Sequence, residues 1–260
     1  MNLALIGGSS SGIGFSIAEM LLKNNYSVFI TSKNKDKLLK AHNKLVNIAI
    51  THGTTNKVFS KEADFSDLES VKNLINEVKM VGPPTIIILN TGGPPPSNLL
   101  DINEELFNKC HNQTYLSHII IIQNFIEEMK QKKWGRIINV SSKLVREPNS
   151  NLVLSSSYRA ALVNSLKCLS KDIGKYNITV NTIYTGSVFT ERFENLLKKK
   201  ENDNCTYADL LLQTKNKTPC NFIASPDDYA DLVKFLIKDE SKYITGAGIN
   251  FDGGESTVSF

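Results

Sequence analysis

Short apolar runs alternate with helix-length amphipathic stretches along this chain, and no other feature restricts the fold as much. LALI (3–6), SVFI (27–30), TIIIL (85–89), RIINV (136–140), ITVNTI (178–183) and GINF (248–251) have strand length and are largely apolar. Helical patterns fall between them, near 12–24, 35–50, 66–79, 112–131, 155–174 and 226–237. A strand that is apolar throughout is buried on both faces, and helix-length connections return each strand parallel to the last. The pattern therefore predicts one doubly wound α/β domain over 1–260, with about seven parallel strands and helices on both faces. At 41% hydrophobic residues in 260, the chain can fill one large core.

The first strand runs into Gly7-Gly8-Ser9-Ser10-Ser11-Gly12-Ile13-Gly14 and then into the helix FSIAEMLLK. Glycines 8, 12 and 14 permit a tight turn, a close backbone approach to a pyrophosphate and close packing of helix on strand. The helix start then offers free N–H groups and a positive dipole end to phosphate oxygens. A glycine motif placed after a first strand and before a helix is specific for a dinucleotide. Gly8, Ser10, Ser11, Gly12, Ile13 and Gly14 are the expected contacts. The second strand ends at Thr31-Ser32-Lys33, about twenty residues past the turn, where an NAD site needs a carboxylate for the ribose hydroxyls. Ser32 and Lys33 supply no acid and one cation, so NADP is expected ahead of NAD.

The remaining composition excludes other classes. A net charge of +4 comes from 30 basic and 26 acidic residues, and the densest basic run, KKKEND (198–203), has acidic neighbours, so no nucleic-acid partner is expected. Cys110, Cys168, Cys205 and Cys220 form no C-x-x-C, and His42, His52, His111 and His118 have no ligand spacing, so no metal is expected. MNLALIGG lacks a basic leader and no run is long enough to span a bilayer, so a cytoplasmic protein without membrane association is expected. The Lys/Asn-rich region 187–225 follows the carboxyl end of a strand, where open parallel sheets bind ligands, and is read as a substrate lid.

These motifs together resemble the short-chain dehydrogenase/reductase family over nearly the whole chain. The resemblance implies a Rossmann fold with Asp64 in KEADFSD at the adenine, and Asn90, Thr91 and Gly92 beside the adenosine ribose. It implies further cofactor contacts at Gly186, Val188 and Thr190 in TGSVFT, and a homo-oligomer, expected to be a tetramer, through helices 112–131 and 155–174. The apolar run at 119–126 is in keeping with such a surface.

The family reaction uses an asparagine, a serine, a tyrosine and a lysine four residues after the tyrosine. The resemblance places Asn112 and Ser142 at the first two. Anchoring on the A-A-L that follows the family lysine puts Arg159 at the lysine and Ser155 at the tyrosine, thirteen residues after Ser142. Residues four apart share a helix face, so Ser155 and Arg159 point together, while Tyr158 lies about 100° around the helix and is read as a packing residue. A guanidinium does not give up its proton near neutrality, and an alkyl hydroxyl is a weaker acid than a phenol. The chain thus resembles a divergent 3-oxoacyl-carrier-protein reductase-like branch with an incomplete tetrad. The expected activity is NADP(H)-dependent oxidoreduction of a small carbonyl or alcohol substrate. Ser142 would polarise the substrate oxygen, Arg159 would hold the cofactor, and a water or Tyr158 would supply the proton. The alternative is a catalytically silent NADP(H)-binding or sensing protein.

Overall fold

The computed structural model describes residues 2–54, 56–202 and 205–258; Met1, Thr55, 203, 204, Ser259 and Phe260 lie outside it, including two positions of the expected lid. The strands are β1 (Leu3–Ile6), β2 (Ser27–Ser32), β3 (Val58–Glu62), β4 (Ile86–Leu89), β5 (Gly135–Val140), β6 (Ile178–Thr185) and β7 (Gly248–Phe251). They form one seven-stranded sheet in the order β3-β2-β1-β4-β5-β6-β7, parallel at every pairing. The chain order reverses between β1 and β4, and the crevice above that switch point is where such sheets bind ligands.

Alternate strand residues feed two cores. Ala4, Ile6, Val28, Ile30, Ile86 and Ile88 pack with α1 (Gly12–Lys23), α2 (Lys35–Thr51) and α9 (Pro226–Leu236) on one face. Leu3, Leu5, Phe29, Ile87, Leu89 and Ile137 pack with α3 (Leu68–Val81), α5 (Ser117–Lys132) and α6 (Val153–Ile173) on the other. Burial on both sides explains why β1 and β4 read as unbroken apolar runs.

Three elements depart from the sequence expectation. β3 is absent from the apolar runs because VFSKE is an edge strand, half exposed, whose polar residues need not be covered. The helix expected to begin at 112 begins earlier: α4 (Glu104–His111) continues through a π-helical turn at Asn112–Leu116 into α5. The expected lid is largely ordered structure, with α7 (Glu191–Lys198) and α8 (Tyr207–Lys217). Thr206 and Asp209 form a capping box at the start of α8. Among the described residues, no helix is long and apolar enough to cross a membrane.

Candidate active site

Missing side chains build the turn after β1. Gly8 and Gly12 hold φ of +52° and +56°, left-handed values that a Cβ would strain. A Cβ on Gly14 would stand 2.5 Å from the Gly8 carbonyl oxygen and 2.9 Å from Asn90 Nδ2, so α1 starts directly against the turn. Asn90, just past β4, donates from Nδ2 to the carbonyls of Gly7 (3.0 Å) and Gly8 (3.1 Å) and fixes the turn from below. Fully buried Ser9 joins the strand ends, its hydroxyl donating to Ile6 O (2.8 Å) and accepting from Thr31 N (3.0 Å). Ser11 stands at the N-cap of α1 without a side-chain capping bond, which leaves the first N–H groups for an external acceptor. Ile13 packs against the core behind them. A bare backbone concavity ending in unfilled donors fits a pyrophosphate.

Ser10 Oγ donates to Ser32 Oγ (2.9 Å), coupling the turn to the end of β2. Lys33 follows, and then Asn34, which caps α2 by accepting from Lys37 N (2.8 Å). Asp64, just past β3, accepts from Ser66 N (2.9 Å) and Ser66 Oγ (2.8 Å). Burial raises the Asp64 pKa, but these bonds and the charges of Lys33 and Lys109 outweigh it and hold the carboxyl below its ordinary value.

A cleft of about 710 Å³ opens over this region. Eight expected contacts line it: Gly8, Ser10, Ser11, Ser32, Lys33, Asp64, Thr91 and Gly92. The same cleft receives Glu191, Arg192, Asn195 and Leu196 from α7. Glu191 is ion-paired with Lys37 at 2.7 Å, so α7 reaches across to the start of α2.

The other expected group lies at the carboxyl end of β5. Ser142 Oγ accepts from Leu144 N (3.3 Å) at the head of a short turn, which leaves its own proton to donate. Next to it the Ser141 hydroxyl is buried with no hydrogen-bond partner among the described residues. Ser155 and Arg159 meet on one face of α6: Arg159 Nε donates to Ser155 Oγ (3.3 Å) and Nη1 to the carbonyl of Val140, the last residue of β5 (2.9 Å). Arg159 Nη2 makes no hydrogen bond among the described residues. Burial lowers the Arg159 pKa to about 10, the charge of Arg192 adding to the effect and Tyr229 opposing it, so the group stays cationic at neutral pH.

Tyr158 turns away from this face. Its hydroxyl donates to Phe107 O (3.3 Å), and its ring packs against those of Phe107 and His111 at 5.4 Å each. Burial pushes its pKa up to about 12. The phenol that feels the Arg159 charge is instead Tyr229 on α9, fully buried with its hydroxyl 3.1 Å from Thr185 Oγ1, its pKa raised by burial.

The remaining expected residues are dispersed. Asn112 heads the π-helical turn and donates from Nδ2 to Ser66 O (3.4 Å), towards the Asp64 side. A Cβ on Gly186 would meet Asp252 Cβ at 2.7 Å, so this glycine serves close packing beside β7. Val188 is buried and bridges to Ala224. Thr190 caps α7 by accepting from Phe193 N (3.2 Å), and its methyl lies 3.1 Å from where a Gly12 Cβ would stand.

The sequence matches the short chain dehydrogenase family over residues 2–201. This chain belongs to that family. It is 30% identical over 256 residues to the NADPH-dependent reductase BacG of Bacillus subtilis (strain 168), with 96% of each chain covered. It is 29% identical over 251 residues to the 3-oxoacyl-acyl-carrier-protein reductase FabG of Rickettsia conorii, covering 96% of this chain and 95% of that one. The crystal structure of YwfH, described as an NADPH dependent reductase involved in bacilysin biosynthesis, matches with a TM-score of 0.89, 29% identity and 99% of each chain covered.

Within this family member, sequence reasoning missed Arg192, Lys37, Gln113 and Tyr229. Gln113 Nε2 donates to Gly92 O (2.7 Å) and holds the turn after β4. Lys37 was findable, because it follows Lys33 by four residues at a helix start beside the cleft. Arg192 had no local signal.

Proposed function

We propose that the chain is an NADP(H)-dependent oxidoreductase acting on a carbonyl/alcohol pair. The observation that carries this reading is the Ser155–Arg159 pair, anchored to the Val140 carbonyl beside Ser142 at the carboxyl end of β5. When bound, the dinucleotide supplies or takes up the hydride. The free donors at the start of α1 hold its phosphates, and Lys33 meets the 2′-phosphate. The NADPH dependence named for BacG and YwfH supports that cofactor choice. Ser142 donates a hydrogen bond to the substrate oxygen, and the Arg159 cation stabilises negative charge developing there. A water held at Ser155 or Ser142 completes the proton transfer, because the Tyr158 hydroxyl is spent on Phe107. The test is oxidation of NADPH by the purified protein against a panel of aldehydes and ketones. NADPH binding in calorimetry without turnover on any of them would refute the reading.

That outcome defines the second reading, a silent NADP(H)-binding or sensing protein. It is favoured by the position of Tyr158, which leaves no phenol on the Ser155–Arg159 face. A FabG-like acyl substrate remains a matter of lineage.

The proposal extends to a cytoplasmic homotetramer assembled through α5 and α6, with 187–225 closing over the substrate. Ile119, Ile120 and Ile126 are only partly buried, which supports an α5 interface. Light scattering at micromolar concentration tests it, and a monomer would overturn it.

A further inference from the structure

The lid helix α7 meets the part of the cleft that the dinucleotide would fill. Glu191 reaches the start of α2 through Lys37, and Thr190 lies against Gly12 of the turn. Arg192 follows and extends to the opposite glycine turn, after β4. A Cβ on Gly93 would stand 2.9 Å from Arg192 Nη2, and one on Gly92 would stand 3.7 Å from Nη1, so these glycines leave the guanidinium its berth. The segment 190–192 therefore spans from the turn at the head of α1 to the turn after β4, the two backbone walls between which a dinucleotide must thread.

Arg192 has nothing to neutralise it. Lys37 and Lys143 each hold a carboxylate, whereas Arg192 makes no hydrogen bond or ion pair among the described residues. Its one recorded electrostatic neighbour is another cation, Arg159. The Arg192 guanidinium faces the same cleft as Ser11, the N-cap of α1, whose first N–H groups carry no side-chain cap, so one cation and a set of backbone donors can meet the same anion. A planar guanidinium matches two phosphate oxygens at once.

We propose that Arg192 binds the pyrophosphate of the bound dinucleotide, making α7 a latch on the cofactor and leaving α8 and the chain after it to face the substrate. This inference rests on the NADP(H) reading above. The structure assigns no such partner to Lys109, which lies at the Asp64 end of the cleft.

Calorimetric titration of the wild-type protein, Arg192→Gln and Arg192→Lys with three probes tests it. The probes are NADPH, 2′-phospho-ADP-ribose (pyrophosphate without nicotinamide) and 2′-AMP (neither). Loss of a charge-assisted bidentate contact predicts that Arg192→Gln weakens NADPH and 2′-phospho-ADP-ribose alike, by about tenfold to a hundredfold. Binding of 2′-AMP should be unchanged, and Arg192→Lys should recover part of the loss. Unchanged binding of both pyrophosphate probes overturns the proposal, including the case in which only the KM of anionic carbonyl substrates rises. Equal loss on all three probes also overturns it, since that marks a damaged lid. If the wild-type protein binds neither NADPH nor 2′-phospho-ADP-ribose, the cofactor reading falls and takes this inference with it. If it binds both and Arg192→Gln is silent, only the inference falls.

Discussion

At the glycine turn the surface offered to a ligand is backbone, and at the β5–α6 end it is side chain. Gly8, Gly12 and Gly14 work by having no Cβ, Asn90 holds the Gly7 and Gly8 carbonyls from beneath, and Ser9 ties the ends of β1 and β2 together. Ser142, Ser155 and Arg159 work through groups that project from a strand end and a helix. Adding atoms at almost any point spoils a backbone-built site. A side-chain-built site can exchange a phenol for a hydroxyl and an ammonium for a guanidinium without moving the frame. The two regions therefore differ in how much substitution each can absorb.

The largest expected effect tests whether the frame at the second end has survived. Ser155→Tyr with Arg159→Lys places a phenol and an ammonium on one helix face, and general acid–base catalysis contributes about 10²–10⁴-fold. Carbonyl reduction measured by NADPH oxidation should rise by a large part of that factor over the parent. A folded, NADPH-binding double variant that is no faster than the parent would show that the frame moved with its side chains.

Lys33→Asp probes the first end at a charge-dependent point. Replacing a cation by a carboxylate removes a charge-assisted contact to the 2′-phosphate and adds a ribose acceptor. The NADPH-to-NADH affinity ratio should fall by about tenfold to a hundredfold. Equal affinities for NADPH and NADH in the unaltered protein would sink the NADP assignment.

Gly14→Ala measures how strictly the backbone end excludes atoms. Its Cβ would meet the Gly8 carbonyl at 2.5 Å, and overpacking of that kind costs about 1–3 kcal/mol. Chemical denaturation should register that loss, together with weaker NADPH binding. Ser155→Ala should leave NADPH binding unchanged; a parallel loss there would erase the contrast.

Between the ends lies His118, fully buried beside Ser117 and edge-on to Phe65. Burial, with the Arg159 charge adding to it, lowers its pKa from 6.5 to about 3. The unfolded chain therefore binds the proton first, and this stabilising contribution is complete above pH 6.5 and is lost as pH falls from there towards 3. Denaturation midpoints of His118→Phe should vary less with pH across that window than those of the parent; an identical slope would acquit His118.

The smallest effect concerns Tyr158. Tyr158→Phe removes a single hydrogen bond to Phe107 O, worth about 1 kcal/mol, and should leave the reduction rate unchanged. A collapse of activity would mean that Tyr158 reaches the substrate and that the helix shifts during turnover.

The same contrast explains what the sequence made visible. The turn after β1 was legible because its rule is an absence at fixed spacing, and Ser32-Lys33 because a missing acid is visible without coordinates. β1, β4 and β5 were legible because burial on both faces leaves an apolar run. β3 was hidden by its edge position, which lets VFSKE carry serine, lysine and glutamate. α4 was hidden because it runs into α5 through a π-helical turn, so no break marks the join. At the second end, spacing alone put Ser155 and Arg159 on one face. What it could not supply was the third-dimensional neighbour: that Arg159 would be drawn to Val140, or that an arginine on α7 would arrive beside Gly93.

The ion pair between Lys37 and Glu191 has a consequence for timing. Both side chains are about half exposed, and exposed pairs of this kind are worth about 0–1 kcal/mol. So shallow a well adds little to the packing that seats α7 against the cleft. Arrival is then governed by diffusion and ionic strength, and departure by whatever the nucleotide itself grips. Raising salt should weaken this pair and also slow the steering of an anion towards Lys33 and Arg192. If Arg192 grips the nucleotide as proposed, α7 sets its residence time more than its rate of capture.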